Sequence, residues 1–422
     1  MRSRHAIVTV VCVTSALAGC GDEAPASTST TLRVHTLNLG LAGAFIAQEP
    51  ARRAAAPAAV AALDDDVVCI QEAWRDDDKR AIAEAARARF PYALWYPHDL
   101  STQEEAIPST CAVPPAQTTA PCAAASVMGA FGMGITCLAQ NCSTMPGSEM
   151  GQTTSTSCAE AMCIGSVTQL LVAGADGLRC YGCLAPQLPT ATFAEMRTAC
   201  TTDARAGLAF NGQSGVMILS RHPLSNQEQL VLPGTWNRRV ILRATAAVPN
   251  AGNVDVYCNH LTPVFEGSAY PYTGRYGCGQ TDSEGWSNEL QAQSRRLVSW
   301  VTERTGSGRA VILGDFNTGA SDYANGANVD AEADAAYRIL AEGFTLARPQ
   351  GYVAACTFCP DNSLNEMRTA PVWIDHVFLR NIPASATTAL ERTFVTPSVA
   401  VTNPAGMVHL SDHYGLRATL RL

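Results

Sequence analysis

Positive charge is scarce in this chain. Of its 422 residues 29 are Lys or Arg against 37 Asp or Glu, and that balance removes any general attraction to phosphate polymers. A nucleic-acid binder of this composition needs a local basic patch, or a divalent cation that supplies the charge. Long apolar runs are missing too: the apolar stretch within "MRSRHAIVTVVCVTSALAGC" is too short to span a bilayer comfortably. No internal repeat of fixed period stands out, which excludes a solenoid or propeller reading.

What is present is a globular composition, 47% hydrophobic, in a chain long enough for one large domain or two ordinary ones. Residues 1–20 read as an export signal, with Arg2 and Arg4 ahead of the apolar stretch. Leu17, Ala18, Gly19 and Cys20 resemble a bacterial lipobox, which implies cleavage before Cys20 and a lipid on its sulfur, hence a membrane-anchored protein of the cell envelope or surface, with release as a further option. An ordinary secretory signal is the alternative. Residues 21–31, "GDEAPASTSTT", have no apolar period and suit a flexible tether, so the fold is expected over 32–422. Loss of the signal leaves 27 basic residues of the 29 against 37 acidic, a net charge of −10.

Sixteen cysteines are present, and setting aside Cys12 and Cys20 leaves fourteen, which outside the cytosol are expected as disulfides. Nine of them, from Cys111 to Cys200, fall within residues 101–206, a stretch of Cys, Thr, Pro, Ala and Gly without sustained period. That texture reads as a disulfide-stapled insertion rather than a second catalytic domain. The spacing of Cys180/Cys183 and of Cys356/Cys359 also suits structural zinc, but an exported chain favours disulfides.

Around the insertion the chain alternates strands and helices. "TLRVHTLNLG" alternates like a strand, "EPARRAAAPAAVAALDDD" reads as helix interrupted at Pro57, and "DVVCIQEAW" as a buried strand. "DDDKRAIAEAARARF" is an amphipathic helix with acids in its first turn and arginines in its last. After the insertion come "SGVMILSRHPL", "RRVILRATAAV" and "NVDVYCNHL" as strands, "NELQAQSRRLVSWVTERTG" as a long helix and "RAVILGDFNTG" as strand. A helical segment over 330–342, "PVWIDHVFLR" and "HLSDHYGLRATLRL" complete the chain. Short turns between several strands predict mixed rather than all-parallel sheets.

Polar residues gather at the ends of the apolar runs. Asn38, Glu72, His260, the pair Asp315 and Asn317, Asp375, and Asp412 with His413 each stand beside a core strand. This pattern is what hydrolysis of a phosphate ester needs. Glu72 is the expected carboxylate ligand of Mg²⁺, with Mn²⁺ or Ca²⁺ possible, because hard cations take oxygen donors. Asp315 and Asn317, two apart in extended chain, address one substrate: Asp315 orients or deprotonates water and Asn317 donates to the phosphate. Asp375 with His413 forms a carboxylate-held histidine, and His260 is a second acid or base on the leaving-group side. His376 and His409 are assigned to structure. Arg238 and Arg239, after Trp236, are better candidates for reaching toward a substrate than the Arg-rich helix over 291–304, with strand-surface charge as the default reading.

The motifs "LRVHTLNLG", "DVVCIQEAW", "SGVMILSRHPL", "VYCNHL", "VILGDFNT", "WIDHVFL" and "LSDHYGL" stand in the order of the endonuclease/exonuclease/phosphatase superfamily, which the chain resembles over about residues 32–98 and 207–422. The resemblance implies a four-layered α/β sandwich, two packed mixed sheets with helices outside and the disulfide-rich insertion appended. It also implies roles for Asn38 in the phosphate or metal network and for Asp412 near metal. A carboxylate that orients His260 has no evident place in the sequence.

The substrate is left open between a phospholipid headgroup and nucleic acid. "CIQEAWRDDD" and "SGVMILSRHPL" look closer to the neutral sphingomyelinase branch, and an anchor at Cys20 keeps the protein near membrane, which makes the phospholipid diester the leading expectation. Aromatic stretches "YALWYPHD" and "AYPYTGRY" could dip into an interface or simply pack. No membrane hairpin of that branch is recognisable, so a secreted endonuclease is the alternative. A reading from another class, a catalytically inactive binding module with no obligate partner protein implied, is opposed by the intact polar set.

Overall fold

A computed structural model describes residues 30–42, 45–142, 162–166, 168–187, 192–204, 207–266, 270–367, 369–402 and 404–422. The export signal, the lipobox at Cys20 and most of the tether lie outside these residues. The described chain builds two six-stranded sheets. In the first, β1 (Thr31–Asn38), β2 (Val67–Gln71), β3 (Tyr92–Leu94), β4 (Met217–Ser220), β11 (Thr387–Thr393) and β14 (Gly415–Arg421) run in the order β11-β14-β1-β2-β4-β3. In the second, β5 (Leu224–Leu232), β6 (Arg239–Val248), β7 (Gly252–His260), β8 (Arg309–Asp315), β9 (Thr345–Leu346) and β10 (Asp375–Arg380) run β5-β6-β7-β8-β10-β9. A ribbon of β12 (Val399–Thr402) and β13 (Ala405–Val408) stands apart.

Both sheets are mixed, since β1 with β2 and β7 with β8 are parallel while their neighbours are antiparallel. Alternating side chains from the two inner faces, among them Val34, Val67, Leu242, Val256, Leu313 and Leu416, meet in one core between the sheets. Cys69 of β2 and Cys258 of β7 cross that core as a disulfide.

The helices that matter here are α1 (Glu49–Ala61), α2 (Asp76–Ala86), α3 (Ala125–Asn141), α4 (Gly174–Gln187), α5 (Phe193–Thr202), α6 (Ser283–Thr305) and α7 (Asp334–Gly343). Val60 and Ile82 bring α1 and α2 onto the outer face of the first sheet, against Leu37, Ile70 and Leu219. Leu290, Leu297, Val301 and Leu340 bring α6 and α7 onto the second, against Ile241, Tyr257 and Ile312. Helix, sheet, sheet, helix gives the four layers. Among the described residues no helix is long and apolar enough to cross a membrane.

Several details depart from the sequence reading. Helix α1 continues through Pro57 instead of breaking there. Nearby, Arg52 donates to the carbonyls of Leu39, Gly40, Ile46, Ala47 and Leu410, so the helix is pinned to the strand ends in spite of the missing proline N–H. Helix α2 ends at Ala86, leaving Arg87 and Arg89 beyond its last turn. The described residues of the cysteine-rich region include helices: α3, α4 and α5 enclose a small core of Val127, Phe131, Ile135, Leu184 and Met196. Cys122–Cys180, Cys137–Cys163 and Cys183–Cys200 staple them, and Cys111–Cys278 ties the region to the main body. Cys180 and Cys183 therefore have separate partners, and Cys356 bonds Cys359, so neither pair is a zinc site. Disulfides of this number belong to an oxidising compartment.

Candidate active site

Parallel pairing of β7 with β8 sets His260 beside Asp315, and antiparallel pairing of β10 with β8 sets Asp375 on the other side of Asp315. Three strand ends thus deliver three polar side chains to one rim. Across the sandwich, β1 ends at Asn38 and β2 is followed by Glu72, whose backbone adopts φ 56° and turns its side chain out of the sheet. Gly40 also has a positive φ, and a Cβ there would lie 2.5 Å from Asp412 Oδ1. Only glycine lets the loop after β1 pass this close to Asp412.

Asp315 is the hub. Its Oδ2 accepts from Asn38 Nδ2 at 2.9 Å and lies 3.5 Å from His260 Nε2 and 4.0 Å from His413 Nε2. Its Oδ1 accepts from the backbone N–H of Asn317 at 2.8 Å. Asn38 Nδ2 also donates to Glu72 Oε1 at 3.1 Å, while its own Oδ1 accepts from Gly40 N–H at 2.9 Å, so one fixed amide bridges both carboxylates. Asn317 donates one amide hydrogen to the carbonyl of Leu261, 2.9 Å away, which leaves its second for another acceptor.

His413 Nδ1 meets Asp375 Oδ2 at 2.8 Å, the pair expected from sequence. Burial opposes a charge on His413, but Asp375, Asp412 and Asp315 outweigh it and raise its pKa well above the ordinary value. At His260 burial dominates, Arg239 and His413 add to it, and the pKa falls well below the ordinary value. One imidazole is therefore cationic and the other neutral at pH 7. Burial and the charge of Asp375 lift Asp315 to about 7, and burial with Asp412 raises Glu72.

All eight residues singled out in the sequence stand at this rim, with Asp412 held by Ser411 Oγ at 3.1 Å. The carboxylate expected to orient His260 is not found: among the described residues Nδ1 has no hydrogen-bond partner, and the ring lies against Trp74, 5.7 Å between centroids, with Nε2 toward Asp315 and Glu72. Trp74 in turn stacks on Phe210 at 4.9 Å. Sequence reasoning missed Trp74, although it stands two residues after Glu72. It also missed Thr357, whose Oγ1 accepts from the backbone N–H groups of Ile374 and Asp375. The aromatic stretches turn largely inward: Tyr272 and Tyr276 are buried, and Trp95 and Tyr96 pack on the cores, with Tyr92 the exposed exception.

Glu72, His260 and Asp315 present ligand atoms within 4.8 Å of one another, as do Asp315, Asp375 and His413. Half-buried Glu72 and buried Asp315, two carboxylates sharing one amide and both raised in pKa, form a hard-oxygen cluster whose negative charge a divalent cation would relieve. The residues present fit such an ion.

A model of the endonuclease/exonuclease/phosphatase family matches residues 36–413. A search of curated proteins finds no match. Among solved structures, the chain is similar to sphingomyelinase C from Streptomyces griseocarneus, at 15% identity and TM-score 0.47, covering 93% of this chain and 100% of that one. A beta toxin variant from Staphylococcus aureus crystallised with magnesium ions is 14% identical, TM-score 0.48, with 93% and 100% covered. Truncated TDP2 from Caenorhabditis elegans is 10% identical, TM-score 0.45, with 93% and 98% covered.

Proposed function

Because this chain belongs to the endonuclease/exonuclease/phosphatase family, we propose that it is an exported, metal-dependent phosphodiesterase acting first on a phospholipid headgroup. The observation that carries the hydrolase reading is the position of Asp315, bonded to Asn38 and within 4.0 Å of both a neutral and a cationic imidazole. Asp315, with a pKa of about 7, orients and deprotonates the water whose oxygen attacks phosphorus. His260 Nε2, 3.5 Å from Asp315 Oδ2, relays that proton to the ester oxygen as its bond to phosphorus breaks. The His413 imidazolium, held by Asp375, and the second amide hydrogen of Asn317 donate to phosphoryl oxygens. Glu72, with Asn38 and Asp412 beside it, is the group that would hold Mg²⁺, or Mn²⁺ or Ca²⁺. Such an ion would supply Lewis-acid stabilisation of charge on the phosphoryl group.

The acidic balance of the chain favours a lipid diester over a polyanion, and a lipid on Cys20 would hold the protein at its substrate. The test uses purified full-length protein with each metal, or with EDTA, on sphingomyelin vesicles, plasmid DNA and bis(p-nitrophenyl) phosphate. Metal-dependent hydrolysis of sphingomyelin is expected, with Asp315→Ala and His413→Ala each lowering kcat by about a hundred- to ten-thousand-fold. DNA cleavage without lipid cleavage reverses the substrate order, and no cleavage of any of the three leaves the binding-module reading.

A further inference from the structure

Buried cations in this molecule are almost all accounted for. Arg52 donates to five carbonyl groups, Arg243 donates to Glu228 and Asp255, and Lys79 meets Asp76. Arg239, the first residue of β6, is different. It is 2% exposed, its Nε and Nη1 are shut off from solvent with no hydrogen-bond partner, and no carboxylate lies within ion-pair distance among the described residues. Glu289, the buried acid whose charge reaches it, is already engaged by Thr235 and Tyr272. An unpaired guanidinium withdrawn from water is costly, and a fold that satisfies Arg52 so fully has the means to avoid it.

Its location suggests what offsets that cost. Ile241, two residues further along β6, pairs with Asn259, the neighbour of His260, so Arg239 stands at the same strand-end rim as the polar cluster. Its guanidinium lies over the Trp74 ring, 5.9 Å from the centroid, and that ring touches His260. Gly234 passes close to its stem, since a Cβ there would lie 3.4 Å from Arg239 Cγ. The charge is also felt by Glu72 and Asp315, the two carboxylates of the rim.

We propose that Arg239 is an anion-binding residue of this site, its planar fork gripping the phosphoryl oxygens of a bound phosphate ester on the Trp74 and His260 side. The assignment rests on the phosphoesterase reading for the identity of the ester, but binding of the phosphoryl group can be measured without turnover. Full-length protein in EDTA is titrated with inorganic phosphate, followed by calorimetry and by thermal unfolding, for the wild type and for the R239M, R239K and D315N variants.

Wild type and D315N should bind phosphate, R239M should bind it at least about tenfold more weakly, and R239K should fall between. Without phosphate, R239M should melt no lower than wild type, because it removes an unpaired buried charge; a purely structural arginine predicts a lower midpoint. Equal phosphate affinity in wild type and R239M, or no binding by wild type, would overturn the assignment. Arg239-dependent binding in a protein that cleaves no ester would leave this site standing and remove the hydrolase reading instead.

Discussion

Asp315 and Asp65 are both buried carboxylates, and their neighbours drive them in opposite directions. Asp315, crowded by Asp375 and Glu72, rises to about 7 and so can exchange a proton near neutral pH. For Asp65 burial also pushes upward, but His35 and the two-nitrogen grip of Arg417 outweigh it and hold the carboxyl at about 2. A folded value below the unfolded one of about 4 means that this stabilisation is complete above pH 4 and is lost as pH falls toward 2. Asp65→Asn should therefore cost about 2–3 kcal/mol at pH 7 in urea unfolding, with the difference from wild type closing between pH 4 and pH 2. A difference that persists unchanged at pH 2 would show that the pairing is not what stabilises. At this scale the sequence was informative about Asn38, Glu72, Asp315 and His413, because each interrupts an apolar run at its end. Arg239 as a lone buried charge was not legible, since having no partner is a property of everything around a residue.

The segment from Cys356 to Cys359 shows how an element can serve the site without touching substrate. Its disulfide closes a short loop in which Thr357 accepts from the backbone of Asp375, and Phe358 packs on the His413 ring at 5.1 Å. The backbone of Tyr414 donates to the Thr357 carbonyl, so both members of the Asp375–His413 pair lean on one loop. Replacing Cys356 and Cys359 together by serine should lower kcat about tenfold or more with little change in KM, because orientation rather than binding is lost. Unchanged kcat in steady-state assays would assign the disulfide to stability alone. The strands the sequence did not reveal are also instructive. β3, β5, β9 and β11 all lie at sheet edges, where one side of the ladder meets solvent and the apolar alternation fades. β5, "LSNQEQLVL", is mostly polar and carries an irregularity between Ser225 and Glu228.

At the scale of the whole molecule, the residues of the candidate site come from both sheets, so the site depends on how the sandwich halves are docked. Asn38, Glu72, Asp412 and His413 belong to the first sheet's strand ends, and His260, Asp315 and Asp375 to the second. Cys69–Cys258 joins β2 to β7 across that interface, closing a separation of 189 residues. Replacing both cysteines by alanine should lower unfolding stability by about 2–5 kcal/mol in guanidinium titrations; an unchanged midpoint would mean that packing alone fixes the halves. The sequence by itself determined the central strands, the core helices and the order of the polar residues at their ends, because strand periodicity and helix amphipathicity are local and repeat within a few residues. Only the tertiary structure decided that these ends share one rim, that no carboxylate meets His260 Nδ1 while its ring lies against Trp74, and that the cysteine-rich stretch contains packed helices. Contacts between residues hundreds of positions apart follow from sheet order and layer docking, which no local pattern encodes.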